Sequence, residues 1–152
     1  MSTETTPADA PGLSSRMRQL AFLLGSFECT DPEDPGSEPS FLHTRVLMDG
    51  HSLWSEGRWQ GFTAGRVFAW DAARSVFIEH FFLETGASGV ATSPGWEDGK
   101  LVLTGSFTLP DGRSSKVRDT FLPAGANAFT IESEALVETS WVRAGRFLCR
   151  RQ

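Results

Sequence analysis

The stretch 63–82, TAGRVFAWDAARSVFIEHFF, decides the fold. It reads as two strands joined by a tight turn at Asp71-Ala72-Ala73-Arg74, with aromatics on both sides of the turn. Its even positions, Arg66, Phe68, Trp70, Ile78, His80 and Phe82, are expected to share one face. That face is mostly large and apolar, yet it carries a cation and an imidazole. A plain core rarely holds both, whereas a lined cavity does, because ligand pockets are apolar with a few placed polar groups.

Upstream, Met48-Asp49-Gly50-His51 is a hairpin signal, since Asp-Gly accommodates the positive φ angles of a type I′ turn. The turn predicts a register in which Val46 faces Leu53 and Thr44 faces Ser55, with His43 opposite Glu56 on a solvated side. A second turn at Gln60-Gly61 would set Trp59 against Phe62, Ser55 against Arg66 and Leu53 against Phe68. The apolar side of one hairpin thus runs on into the even positions of the next.

Downstream, strands are expected over 88–93, 100–109, 114–122, 128–136 and 140–149, separated by turn signals such as Pro110-Asp111-Gly112. Leu101, Leu103, Phe107, Val117, Phe121, Phe129 and Ile131 fall on one face, together with Asp119 and Ser133. Lys116, Arg118, Glu132 and Glu134 fall on the other. A meander of about ten strands without helical crossovers leaves two edges, and closing on itself removes them. The fold expected is therefore all-β: a single antiparallel up-and-down barrel. Residues 14–25 read as a helix of two to three turns, too short to stand alone, that caps one barrel end. Residues 1–13 read as a disordered lead-in, and 14–152 as one barrel domain.

Composition narrows the function. Hydrophobic residues make up 39% and charged residues 22%, ordinary for a folded domain. The net charge of −5 and the scattered Lys and Arg argue against nucleic acid as a partner. With 12 Phe, 5 Trp and no Tyr, phenol chemistry is excluded. Neither a signal peptide nor an apolar run of spanning length is present, so no membrane association is expected and the location reads as cytoplasmic. In that compartment Cys29 and Cys149 read first as two half-buried thiols. A disulfide stays open, because the first and last strands become neighbours if the sheet closes. Asp31, Glu33 and Asp34 sit in a proline-rich loop without the EF-hand spacing, and His43, His51 and His80 lack ligand spacing, so no metal site is expected.

The opening Met17-Arg18-Gln19-Leu20-Ala21-Phe22-Leu23-Leu24-Gly25-Ser26-Phe27 resembles the start of calycin-type barrels, the lipocalin and fatty-acid-binding group. Met48-Asp49-Gly50, then Gly65 with Trp70-Asp71, then Trp96-Glu97-Asp98-Gly99-Lys100-Leu101-Val102-Leu103 resemble the bacterial "domain of unknown function 1579" proteins. Phe27 stands where calycins carry Trp, and Trp70 where that family carries Tyr. The resemblance implies an antiparallel barrel with an internal pocket, and calycin folds serve carriers, haem binders and a few cyclases.

Two polar groups stand out as chemistry. His80 and Asp119 are both expected to face the lumen, where a carboxylate bonded to an imidazole fixes its tautomer and raises its basicity. The plainer alternative pairs Asp119 with Arg66 as a satisfied structural group and leaves His80 a core histidine. Arg66 alternatively anchors a ligand carboxylate. The ligand-binding set expected is Ser55, Trp59, Arg66, Phe68, Trp70, Phe82, Phe107 and Phe121. The function that fits is binding of a hydrophobic small molecule bearing a polar or acidic group. The alternatives are a cofactor-independent cyclase or isomerase that shapes a polyketide- or polyene-like substrate with His80 and Asp119, and a structural or oligomeric module, such as a homodimer, with a filled core. No cofactor is expected; haem on His80 is the minor alternative that a calycin barrel would offer, without an attachment motif in the sequence.

Overall fold

The computed structural model describes residues 12–59 and 61–152. Eleven strands follow a short 3-10 helix at Met17–Leu23: β1 Gly25–Thr30, β2 Ser40–Leu47, β3 Ser52–Trp59, β4 Phe62–Asp71, β5 Val76–Leu83, β6 Ser88–Ser93, β7 Trp96–Glu97, β8 Lys100–Thr108, β9 Ser114–Pro123, β10 Ala128–Val137 and β11 Ser140–Arg151. Chain neighbours pair antiparallel except at β6 and β7: β6 pairs with β8 past the two-residue β7, which pairs with β8 alone, and β1 pairs with β11. Ten strands therefore close into a barrel, as the strand count and the absence of crossovers led us to expect. Gly105 makes the β6–β8 seam workable: a Cβ there would lie 1.8 Å from the Val90 carbonyl oxygen.

The Asp-Gly turn sets the first hairpin as read. Asp49 takes φ 51 and ψ 38, Gly50 takes φ 89, and the His51 amide donates to the Met48 carbonyl at 3.1 Å. Val46 then pairs with Leu53, Thr44 with Ser55 and His43 with Glu56. Gln60 of the expected second turn lies outside the described residues, but the strands on either side keep the register read, Ser55 opposite Arg66 and Leu53 opposite Phe68.

The turn after Asp71 departs from expectation and corrects everything on β5. Asp71 pairs with Val76, leaving a four-residue loop, so Phe68 faces Glu79 and Trp70 faces Phe77. Asp71 Oδ1 accepts from the amides of Ala73 and Arg74, and Ser75 closes the loop at φ 53. The parity of β5 is thereby reversed. Phe77, Glu79 and Phe81 point inward, whereas Ile78, His80 and Phe82 lie on the outer face, with His80 exposed and Phe82 49% exposed.

One half of the barrel is packed solid. Phe27, Leu53, Phe68, Phe77, Leu101, Leu103, Phe121, Phe129 and Ile131 are buried there beneath Met17, Leu20 and Leu23 of the 3-10 helix. Phe22 meets the rings of Trp96, Phe121 and Phe129 edge-on, and Trp96 Nε1 donates to the Gln19 carbonyl at 3.2 Å. The helix is thus a plug, as its apolar stripe required, although it forms in 3-10 rather than α geometry. The lead-in expected over residues 1–13 lies outside the described residues up to position 11; Leu13 is buried against the core.

The cysteines require a second correction. Cys29 and Cys149 pair directly across β1 and β11 and form a disulfide, so neither is a free thiol. The register of the closing seam puts the two side chains face to face, the arrangement a closed sheet makes available.

Candidate functional site

The other half of the barrel is open. A cavity of about 520 Å³ lies among β3, β4, β5, β8, β9, β10 and β11, within the size range of small-molecule sites. Its walls are apolar: Trp59, Phe62, Phe81, Phe107 and Phe147 are the rings that line it. Phe81 and Phe107 stack with planes 16° apart, and Trp59 packs on Phe147 at 5.1 Å between ring centres. Gly57 gives the Trp59 indole its place, since a Cβ at that position would lie 2.3 Å from Nε1. A register shift between β10 and β11 at Ser133 and Glu134 brings Ala135, Ala144 and Gly145 to the same wall without bulk.

Polar side chains gather where the packed half meets the cavity. Arg66 from β4 and Asp119 from β9 line the cavity, and Ser133 from β10 joins them. Ser133 Oγ donates to Asp119 Oδ1 at 2.7 Å. Arg66 Nη1 lies 3.8 Å from Asp119 Oδ2 and 3.3 Å from Glu79 Oε1. The Arg66 guanidinium also approaches the Trp59 ring, 5.9 Å from its centre. Neither ion-pair separation comes with a hydrogen bond. Among the described residues the five N–H donors of Arg66 have no hydrogen-bond acceptor, and the side chain is 18% exposed, toward the cavity.

Glu79 is the unexpected member. It is fully buried, and neither of its oxygens accepts a hydrogen bond from a donor among the described residues. Burial pushes its carboxyl up to about 8; the negative charge of Asp119 adds to the effect, and Arg66 opposes it. At neutral pH Glu79 therefore holds a proton, which it can donate toward Asp119. Arg66 and Asp119 then face the cavity, backed by a neutral acid, while Glu134, also on the cavity wall, accepts both its bonds from Arg118.

The expected site residues divide into four groups. Trp59, Arg66, Phe107 and Asp119 line the cavity. Phe68 and Phe121 lie in the packed half, their rings 6.1 Å apart, and Ser55 is buried with its Oγ accepting from Thr44 Oγ1 at 2.9 Å. Trp70 sits at the plug end, edge-on to Phe77 and beneath the Arg16 guanidinium. His80 and Phe82 stand on the outer face, so His80 and Asp119 are not brought together and His80 offers no lumen ligand for haem. Sequence reading missed Glu79 and Phe81, both displaced by the parity of the Asp71 turn, and missed Phe62 and Phe147 as wall residues. No group of His, Cys, Asp and Glu among the described residues is arranged to hold a metal ion. No described helix is long and apolar enough to cross a membrane. In comparison with known proteins, the chain matches no family model and no curated protein.

Proposed function

We propose that the protein binds one mostly apolar small molecule that carries a hydrogen-bond acceptor, a carbonyl or a carboxylate, in the open half of the barrel. The observation that carries this reading is Arg66: a guanidinium set in an apolar-walled cavity, beside Glu79 and Asp119 but with no hydrogen-bond acceptor among the described residues. Donors held in a dry site are worth more to a ligand than to water, and a planar fork matches a carboxylate or carbonyl in direction as well as charge. Phe81, Phe107, Trp59 and Phe147 supply flat apolar contact, so fused-ring or conjugated ligands fit the walls. The likeness to calycin-type barrels points the same way. The disulfide favours an oxidising compartment over the cytoplasmic location expected above.

The experiment is native mass spectrometry of the purified chain, followed by denaturing extraction of whatever is retained. One small molecule per chain, lost in Arg66→Ala, is the expected result. A chain that emerges empty and acquires no ligand from a mixture of fatty acids and aromatic ketones contradicts the reading.

A further inference from the structure

We propose that this cavity removes and returns a proton at the carbon beside the carbonyl of an enolisable, mainly apolar ketone, with Asp119 as the base, Arg66 holding the oxygen and Glu79 positioning the base. The inference rests on the binding reading above and adds a reaction to it. Three observations carry it together. Arg66 and Asp119 face one cavity, and Nη1 and Oδ2 stand 3.8 Å apart, so a ketone oxygen on the guanidinium puts the α carbon, two bonds away, within reach of the carboxylate. Asp119 is held by Ser133 through Oδ1, which leaves Oδ2 for chemistry. Glu79 is fully buried behind this pair, with Arg66 Nη1 3.3 Å from its Oε1.

The step balances without a co-reactant. Asp119 takes the proton, the C–H electron pair becomes the C=C bond of an enolate, and the carbonyl π pair moves onto the oxygen beside Arg66. A cation fixed in advance at that oxygen stabilises the charge as it develops. A carboxylate can serve as the base for a carbon acid where the oxygen is so held. Return of the proton to the same carbon gives exchange; return to a conjugated carbon further along gives the isomeric enone. Nothing is oxidised or reduced, and no water is consumed.

Glu79 adds a pH signature. The charged groups that face it are Arg66 from β4 and Asp119 from β9, and its β6 partner is Ala91. With Glu79 neutral, its proton steadies Asp119, which is then the one negative charge beside Arg66, Glu134 on the same wall being paired with Arg118. With Glu79 ionised, a second negative charge opposes the enolate. The rate above the hydroxide background therefore falls as pH rises through about 8.

The test follows exchange of the α-hydrogens of 2-tetralone in D₂O by proton NMR, with saturation transfer in the same sample reporting binding. The folded full-length chain is expected to accelerate exchange over buffer. Asp119→Asn is expected to keep binding while losing about a hundredfold or more of the acceleration. Glu79→Gln, isosteric and always neutral, is expected to remove the alkaline fall, a change that a merely structural role would not produce. Binding without accelerated exchange, or exchange equal in Asp119→Asn, overturns the reaction and leaves the binding reading standing. An alkaline fall that persists in Glu79→Gln overturns the role given to Glu79. No saturation transfer to 2-tetralone or to larger fused-ring ketones overturns the binding reading and the reaction with it.

Discussion

Arg66 Nη1 stands 3.3 Å from Glu79 Oε1, close enough to feel the carboxyl and oriented so that it gives it no hydrogen bond. A buried acid left in that condition keeps its proton into the neutral range, reaching about 8. The folded chain then binds more protons than the unfolded chain between the ordinary value of 4.5 and that figure. Its stability is fully present below about 4.5 and declines as pH rises through 8. The span corresponds to roughly 5 kcal/mol. Glu79→Gln should flatten this slope, leaving stability near pH 5 little changed and raising it at pH 9. Urea denaturation of both forms across that range measures it; a parallel pH dependence in the two would place the titration elsewhere.

The disulfide fastens the first strand to the last across a sequence separation of 120. Closing so long a loop in the unfolded chain removes much of its entropy, and the expected stabilisation is about 2–4 kcal/mol. Cys29→Ser with Cys149→Ser should lower the melting temperature correspondingly, and reductant should lower the native protein's but not the double variant's. Alkylation under denaturing, non-reducing conditions should find no thiol. Two labelled cysteines would contradict the pairing.

Parity on β5 is open to a direct check. Phe77 is buried among core rings, so Phe77→Ala should destabilise by about 3–5 kcal/mol. Phe82 is 49% exposed on the outer face, and Phe82→Ala should alter stability by less than about 1 kcal/mol. The reverse order would restore the even-position face.

How far the chain could be read depended on its turns. Asp49-Gly50 admits one tight geometry, and from it the pairing propagated correctly through Leu53 and Phe68. Asp71-Ala72-Ala73-Arg74-Ser75 has no glycine or proline to dictate loop length, and Ser75 supplies the positive φ unaided. On β5 the pattern could not arbitrate, because Phe77 and Phe81 on one face are matched by Ile78 and Phe82 on the other. A single residue of slip therefore exchanged His80 for Glu79 at the centre of the site. Downstream, Pro110-Asp111-Gly112 restored a firm turn, and Asp119 and Ser133 came inward as read. The one signal for Glu79 was a carboxylate inside an otherwise apolar strand, and it is decisive only once the face is known.

The central claim, that Arg66 orients an acceptor-bearing apolar ligand in the open half of the barrel, is tested most directly by titration with anilinonaphthalene sulfonate, a fluorescent fused-ring anion. One saturable site per chain is predicted. Arg66→Ala should weaken it about 10- to 100-fold, the loss of a charged hydrogen bond. Ala135→Trp, which fills the wall, should abolish it while the chain stays folded by circular dichroism. Saturable binding that ignores both substitutions, or no saturable binding at all, would contradict the account.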